Sequence, residues 1–184
     1  IATIDVDVAQ RNILLQLNNK NMKLKKDDQV ADVGAGSGYF SFRMAELVPE
    51  GKVFAVDISP QMLGIVRAKI GSQKVTNVVP VLSTIKDTKL PPQSVDCVLI
   101  VDAYHEFSHP REMAQSIFDS LREKGRLILI EYRKEDPSVP IKLLHKMTEE
   151  QAIKEISEVG LVWKKTLKVL PQQHFMIFEK PPKR

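Results

Sequence analysis

The chain has little of several things that would assign a protein to a class at once. Among its 184 residues there is one cysteine, Cys97, which excludes an intrachain disulfide framework and any metal site made of clustered cysteines. Aromatic residues are 6% of the chain, and no apolar run approaches the roughly 20 residues that a membrane span requires. The remaining composition, 43% hydrophobic and 27% charged, predicts a single soluble globular domain over residues 1–184.

A strong charge of one sign is also lacking. The formal net charge is +4, and lysines gather in residues 20–26 and 180–184. A nucleic-acid-binding surface interleaves basic with aromatic residues, and no such stripe is present. We therefore expect these lysines to lie on solvated faces. Only the mild positive charge leaves a nucleic-acid partner open. We expect a cytoplasmic protein, since its lone cysteine fits a reducing compartment. The chain begins at Ile1 rather than Met, which predicts a trimmed N-terminus.

The run from residue 30 to residue 40 carries the most information in the chain. It reads as an apolar strand, a turn with glycine at every second position (Gly34, Gly36 and Gly38) and the start of a helix. Such a turn lets a ligand touch the main chain, and the N–H groups of the following helix favour a polar or anionic group. An acid, Asp32, precedes the first glycine by two residues.

A second acid follows at the separation expected of a nucleoside site. Asp57 ends the apolar run 52–56, about 20 residues beyond the glycines, where a carboxylate can accept hydrogen bonds from both hydroxyls of a ribose. Alternatively, Asp57 with Ser59 and Pro60 merely begins the next helix. Both roles are compatible, and the two features together predict a nucleoside-type cofactor.

Strand-like and helix-like segments alternate along most of the chain. Strands are predicted over residues 29–33, 52–56, 77–82, 95–101, 126–131, 161–169 and 174–178. Helices are predicted over residues 8–17, 38–48, 60–70, 110–122 and 148–158, with Gly71 as a helix cap and Gly125 ending a connection. This order predicts an α/β fold with one doubly wound sheet of about seven strands, mostly parallel and closed by an antiparallel C-terminal hairpin. Pro80 favours an edge position for the third strand, and the irregular segment 134–147 could form part of a lid.

Several of these segments resemble motifs of the class I S-adenosylmethionine (SAM) methyltransferases. They are the glycine run 30–40, the D-x-S-x-x-M-L run 57–63, the L-P…S-x-D-x-V run 90–98 and the G-R-L run 125–127. Residues 101–107 and 171–175 resemble a mostly uncharacterised group of methyltransferase-domain proteins. The resemblance spans about residues 10 to 180. It implies the Rossmann-like class I fold, SAM as cofactor with S-adenosylhomocysteine as product, and methyl transfer to a small-molecule acceptor.

The resemblance also implies which residues of this chain contact the cofactor. Those expected beside its methionine and ribose portions are Gly34, Ala35, Gly36 and Gly38, with Asp32 at the methionine amino group and Asp57 at the ribose hydroxyls. Those expected beside its adenine are Ile58, Met62 and Thr84. Thr84 stands where the family often has an acid, so its contact is less well supported. Asp102, at the end of the fourth strand, is expected to approach the sulfonium.

Catalytic residues are expected where parallel strands end, since open α/β sheets bind ligands at the carboxyl ends of their strands. After the fourth strand these are Asp102, Tyr104 and His105, followed by Glu106, and after the fifth strand Glu131 with its neighbour Tyr132. His105 is the first candidate for a general base because the usual pKa of histidine is near neutrality. Alternatively, His105 only shapes the pocket or binds the backbone.

Residues 105–109 also satisfy the zinc-protease pattern H-E-x-x-H. That motif requires both histidines on one face of a continuous helix, whereas here it follows a strand and precedes Pro110. We therefore expect no metal.

Two other functions compete with methyl transfer. One is a SAM-binding protein without catalysis, which would bind the cofactor but turn over no acceptor. The other is a nucleotide-dependent oxidoreductase on a related fold, whose G-x-G-x-x-G fingerprint would need glycine where Tyr39 stands.

Overall fold

The computed structural model describes residues 6–183 as one seven-stranded sheet with helices on both faces. The strands are β1 (Gln29–Val33), β2 (Lys52–Asp57), β3 (Val78–Leu82), β4 (Val95–Val101), β5 (Leu121–Tyr132), β6 (Val162–Leu167) and β7 (Gln173–Glu179). The α-helices are α1 (Val6–Gln16), α2 (Asn19–Met22), α3 (Tyr39–Leu47), α4 (Pro60–Gln73), α5 (Pro110–Ser120) and α6 (Glu149–Ser157). Single turns of 3-10 helix lie at Tyr104–Glu106 and Leu143–His145.

The order of the strands confirms the predicted fold class. Across the sheet it is β3-β2-β1-β4-β5-β7-β6, with β1 to β5 parallel and β7 antiparallel to both of its neighbours. The chain therefore reverses its direction of travel across the sheet between β1 and β4. In open α/β sheets, the crevice beyond the strand ends at such a reversal is where ligands bind.

The core consists of two apolar layers, one on each face of the sheet. Alternate residues of β4 serve opposite layers: Cys97 and Leu99 face α1 and α3, while Val98 and Ile100 face α5 and α6. Burial on both faces explains why β4 reads as a nearly continuous apolar run. Within the described residues, no helix has the length and apolar character needed to cross a bilayer.

Two predicted boundaries are wrong. Gly71 does not cap α4, which continues to Gln73 and ends at Lys74, a residue in the left-handed region with φ 53°. Gly125 does not precede β5 but lies inside it, where the chain bulges between the partners of Val95 and Cys97. A Cβ on Gly125 would lie 2.7 Å from the carbonyl oxygen of Arg122, so the close backbone packing of this bulge requires glycine.

Both edges of the sheet carry residues that oppose further pairing. Pro80 lies in β3, the edge strand, as its lack of an N–H predicts. The opposite edge is β6, where Lys164 and Lys165 are exposed.

Candidate functional site

A cleft of about 380 Å³ opens where β1, β2 and β4 end. It lies at the reversal of strand order and is within the size range of small-molecule sites. The predicted site residues that line it are Gly34, Gly36, Asp57, Ile58, Met62, Thr84 and Asp102. Ala35 and Gly38 belong to the same turn and Asp32 to the end of β1, but none of the three forms the cleft wall, and His105 and Tyr104 line a different pocket.

The glycine turn forms the cleft wall by omitting side chains. Gly34 has φ 80°, and a Cβ there would come within 2.6 Å of the Cβ of Ala103, so the ends of β1 and β4 approach closely only with glycine at this position. Gly36 has φ 53°, and a Cβ there would meet nothing within 4 Å. The space in front of Gly36 is therefore open to a ligand.

Three consecutive N–H groups of the turn are already used inside the protein. Gly34 and Ala35 donate to the carbonyl of Val56 at 2.9 and 3.0 Å, and Gly36 donates to Asp57 Oδ2 at 2.7 Å. A ligand here would therefore contact these residues mainly through van der Waals packing rather than through hydrogen bonds to their N–H groups. Gly38 is the N-cap residue of α3 and gives that helix no side-chain cap.

Asp57 is fixed in the cleft by hydrogen bonds to each carboxylate oxygen. Oδ2 accepts the Gly36 N–H, and Oδ1 accepts the Ser59 N–H at 2.8 Å. Because a carboxylate offers about four lone-pair sites, both oxygens keep acceptor capacity toward the cleft. Asp57 therefore links the glycine turn to the start of α4, where Ser59 caps Met62, and this structural role leaves acceptor capacity for a ligand.

Asp32 lies beneath the turn. Its side chain is buried and accepts a hydrogen bond of 2.6 Å from the Ser41 hydroxyl. Burial raises the pKa of Asp32 to about 7; the Ser41 hydrogen bond opposes the shift and the charge of Asp57 adds to it. A buried carboxyl with a pKa near neutrality can gain a charge when a cation arrives nearby.

Asp102 follows β4 in a strained backbone conformation. Its φ of 47° is in the left-handed region, uncommon for a residue other than glycine. Among the described residues, its Oδ1 atom is buried without a hydrogen-bond partner, as is Nε2 of Gln173. Burial raises the pKa of Asp102 well above its usual range; the charge of Glu131 adds to this, and the amide of Gln173 partly offsets it. Backbone strain and an unpaired acceptor together are typical of a functional position.

The cleft combines acidic and apolar walls. Its three carboxylates belong to Asp57, Asp102 and Glu106, and none of the described residues lining it is lysine or arginine. Apolar side chains at its rim remain partly or largely exposed, namely those of Ile58, Met62 and Ile85. Thr84 lines the same rim, but its hydroxyl turns toward the loop that ends at Asp87. These walls suit a cationic ligand that carries a flat apolar group.

A second pocket of about 280 Å³ adjoins the first beyond the 3-10 turn at residues 104–106. His105 lies on its wall, with a side chain that is 7% exposed. His105 Nδ1 is 2.7 Å from Glu131 Oε2, while Glu131 Oε1 accepts the backbone N–H groups of Tyr104 and His105 at 2.8 and 3.3 Å. Burial lowers the pKa of His105, but the hydrogen bond and charge of Glu131, with the charge of Glu106, outweigh it and raise the pKa overall.

Tyr104 contributes packing more than chemistry. It is buried in the core, and its ring lies 5.4 Å from that of Phe107 between centroids. Burial raises the pKa of its hydroxyl, and the charge of Glu155 adds to this shift.

The segment 134–147 closes the far side of the second pocket and is held by its own polar contacts. Lys146 is buried and donates to the carbonyls of Val139 at 2.6 Å and Asp136 at 3.3 Å. Beside it, His145 points Nδ1 at His105 Nε2, 3.1 Å away. Leu143 and Leu144 are 68% and 81% exposed at the pocket mouth.

The H-E-x-x-H pattern does not form a histidine pair. His109 is the N-cap residue of α5, and its ring lies against the Ser108 hydroxyl at 3.0 Å. His105, the first histidine of the pattern, instead pairs with His145, forty residues along the chain.

Sequence reasoning misjudged several residues that lie beside the two pockets. Glu131 was expected to meet substrate but is buried behind His105, His145 was considered only as part of the possible lid segment 134–147, and Gln173 had no assigned part. The available signal was an acid at the end of β5 beside β4, whose following turn carries His105, since neighbouring parallel strands end at the same edge of the sheet. Nothing in the local pattern marks His145.

Comparison with known proteins agrees with the fold. A family model described as a methyltransferase domain matches residues 24–175. The ubiquinone/menaquinone biosynthesis C-methyltransferase UbiE of Wigglesworthia glossinidia brevipalpis is 26% identical over 126 residues, 67% of this chain and 49% of that protein. UbiE of Pasteurella multocida (strain Pm70) is 30% identical over 113 residues, 60% and 42% of the two chains. The chain thus spans about half the length of the curated relatives it matches.

Solved structures share the architecture at low sequence identity. A SAM-dependent methyltransferase from Aquifex aeolicus superposes with a TM-score of 0.81 at 20% identity, covering 92% of this chain and 88% of that one. The cyclase SpnF superposes with a TM-score of 0.79 at 14% identity, covering 94% and 81%. Since the same fold occurs in a cyclase, architecture alone does not assign a reaction.

Proposed function

We propose that this chain, which belongs to the methyltransferase domain family, transfers a methyl group from SAM, the methyl donor of that family, to a small-molecule acceptor. The observation that carries the proposal is the charge of the first cleft. Asp57 and Glu106 lie in its walls with no basic residue among the described lining, and Asp102 adds a third acidic group that a bound cation would help to ionise. A cationic sulfonium with an ammonium group suits these walls, whereas the pyrophosphate of a dinucleotide would meet repulsion and a turn in which the N–H groups of Gly34, Ala35 and Gly36 are occupied.

The residues that would hold the cofactor are those of the cleft wall. Asp57 would accept from the ribose hydroxyls with the lone pairs that Gly36 and Ser59 leave unused. Ile58 and Met62 would cover the adenine, since both expose apolar side chains at the rim. The open space before Gly36 and the unpaired Asp102 Oδ1 are what a bound ligand with N–H donors would fill.

The chemistry that SAM supplies when bound is a methyl group on a positively charged sulfur, open to in-line displacement by a nucleophile. The task of the chain is then to hold the acceptor in line and to exclude water. Asp102 lies on the cleft wall and would stabilise positive charge there once ionised. Tyr104 would keep the 3-10 turn in place through its buried ring.

The second pocket is the proposed acceptor site. Leu143 and Leu144 offer apolar contact, and Lys134 contributes positive charge at the same wall. This combination suits an apolar ring that carries a hydroxyl or an acidic group. His105 would remove the proton of that acceptor group, because the Glu131 carboxylate keeps the imidazole hydrogen on Nδ1 and leaves Nε2 as an acceptor. The UbiE relatives, named for quinone biosynthesis, make ring compounds of that pathway the first acceptors to test.

Calorimetric titration tests the cofactor assignment. The chain is titrated with SAM, S-adenosylhomocysteine and NAD, together with Asp57→Asn and the matched variant Asp27→Asn in an exposed turn outside the cleft. We expect SAM binding that weakens at least about tenfold in Asp57→Asn, the loss of one charge-assisted hydrogen bond, and is unchanged in Asp27→Asn. Binding of NAD without SAM would overturn the proposal.

Transfer of a labelled methyl group from SAM to a panel of ring acceptors then tests catalysis. Turnover of any acceptor that is lost in His105→Ala supports the assignment of the second pocket. Tight SAM binding with no transfer to any member of the panel would favour the non-catalytic SAM-binding protein.

A further inference from the structure

Three side chains between the two pockets bring metal-ligating atoms together. They belong to His105, Glu106 and His145, and the atoms all lie within 4.8 Å of one another, the one such group among the described residues. The imidazoles face each other with His105 Nε2 and His145 Nδ1 3.1 Å apart. Glu106 Oε1 is 3.9 Å from His105 Nε2, on a side chain that is 66% exposed.

The protonation of His105 leaves the inward nitrogen available. Its Nδ1 lies 2.7 Å from Glu131 Oε2, so Nδ1 carries the hydrogen and Nε2 presents a lone pair to His145. A carboxylate behind a histidine is the arrangement that orients metal-bound imidazoles in proteins, because it fixes the tautomer and raises the basicity of the ligand. Glu131 is itself buried and held by the N–H groups of Tyr104 and His105.

The spacing matches that of a small transition-metal ion. Zinc–nitrogen bonds of about 2.0–2.1 Å in a tetrahedral site place two ligand atoms about 3.3 Å apart. The two imidazole nitrogens are already close to that separation. Glu106 must approach His105 by about 0.6 Å to reach the tetrahedral separation, which its exposed side chain permits by rotation.

We propose that His105, His145 and Glu106 form a binding site for a divalent transition-metal ion, with zinc as the ion whose ligand preference fits best. Two imidazoles with one carboxylate are a zinc-type donor set, whereas magnesium and calcium take oxygen ligands. Three protein ligands leave a fourth position open, as in sites where zinc acts on a bound molecule. The other histidines stand apart, His109 against Ser108 and His174 against Glu135.

The place of this site gives the ion a role, and this role rests on the proposed function. Glu106 lines the cofactor cleft and His105 lines the acceptor pocket, so the ion lies at the boundary between them. With the ion bound, the lone pair of His105 is occupied. An acceptor oxygen in the fourth position would then lose its proton to solvent because the ion lowers its pKa. The ion would also join the 3-10 turn after β4 to the segment 134–147.

The test uses the tag-free, EDTA-treated chain titrated calorimetrically with Zn²⁺, and with Co²⁺ to follow its visible absorption. We expect one equivalent of Zn²⁺ to bind, with an absorption spectrum typical of four-coordinate Co²⁺. His145→Ala should weaken binding at least about a hundredfold, since it removes a direct ligand, and Glu106→Gln about tenfold or more. Zn²⁺ should raise the melting temperature of the wild type but not of His145→Ala.

The matched control is His109→Ala, which removes the second histidine of the H-E-x-x-H pattern and leaves the cluster intact. It should bind Zn²⁺ as the wild type does. No Zn²⁺ binding by the wild type, or equal binding by His145→Ala, would overturn the proposal and leave a hydrogen-bonded histidine pair.

The outcomes also separate this proposal from the proposed function. Zn²⁺ titration is performed without SAM, so a metal site can be present when SAM does not bind. Conversely, methyl transfer that persists in EDTA while Zn²⁺ fails to bind would remove the ion and keep the methyltransferase.

Discussion

The two pockets lie on either side of the same strand end, yet they are constructed differently. The cofactor cleft is formed by a local stretch of backbone, in which Gly34 and Gly36 omit side chains and Asp57 fixes the turn. The second pocket, the proposed acceptor site, depends on side chains brought from three distant segments, His105, Glu131 and His145. The first is therefore sensitive to volume, whereas the second is sensitive to charge and to the position of a proton.

The largest effect is expected at Asp32, beneath the cofactor cleft. Its pKa is raised by burial to about 7, so between the ordinary pKa and 7 the folded state holds a proton that the unfolded state has lost. Stability is lost as the pH rises through that window. Asp32→Asn is neutral at every pH, so its advantage should grow from near zero at pH 4 to about 4 kcal/mol at pH 8.

Urea denaturation at several pH values measures this difference, with Asp27→Asn as the exposed control. An advantage that does not change with pH would mean that Asp32 is not a buried, shifted carboxyl. SAM affinity should fall in Asp32→Asn if the ionised carboxyl meets the methionine ammonium.

Gly34→Val tests the dependence of the cleft on volume. It places a β-branched residue at φ 80° and a Cβ within 2.6 Å of Ala103, so we expect a loss of about 3 kcal/mol in unfolding free energy and no measurable SAM binding. The matched variant is Gly64→Ala, in the exposed face of α4 with open space around it. That variant should gain up to about 1 kcal/mol through helix propensity and bind SAM normally.

Glu131→Gln tests the dependence of the acceptor pocket on charge. An amide facing His105 Nδ1 would donate rather than accept, which forces the imidazole hydrogen onto Nε2 and removes its lone pair. We expect a loss of about 2 kcal/mol in stability and of most methyl transfer, while SAM affinity changes less than about twofold. A parallel loss of SAM affinity would show that the two pockets are not independent.

Thr148→Ala should have the smallest effect and bear on neither pocket. Thr148 caps α6 by accepting the Gln151 N–H at 3.0 Å, and its loss should cost about 1 kcal/mol in thermal or urea denaturation. SAM binding and methyl transfer should remain those of the wild type. Any large change in transfer would indicate that α6 controls the segment 134–147 beside it.

How much could be predicted from the sequence also differs between features formed by one local stretch of chain and features formed by distant segments. The alternating apolar pattern placed all seven strands, because burial on one or both faces leaves a local trace, and the reversed final hairpin followed from its short turn. The positions that line the cofactor cleft were accessible for the same reason: the glycines and Asp57 lie within one βαβ unit. Their contacts with a cofactor remain predictions.

What the sequence concealed was contact between distant segments. His145 lies in an irregular stretch, and only the folded chain places it 3.1 Å from His105. Gly125 was misplaced because helix α5 passes into β5 without a loop, and the bulge that needs glycine depends on the neighbouring strand. Lys74 ends α4 in a conformation that favours glycine, against its own propensity.

The two edges of the sheet have a consequence for self-association of the chain at high concentration. An open sheet exposes unpaired backbone groups along its outer strands, and these can recruit a strand from another molecule. Pro80 removes one donor from the β3 edge, and the charges of Lys164 and Lys165 repel a like edge at β6. We expect these three residues to oppose fibrillar self-association along the two sheet edges, a role separate from ligand binding.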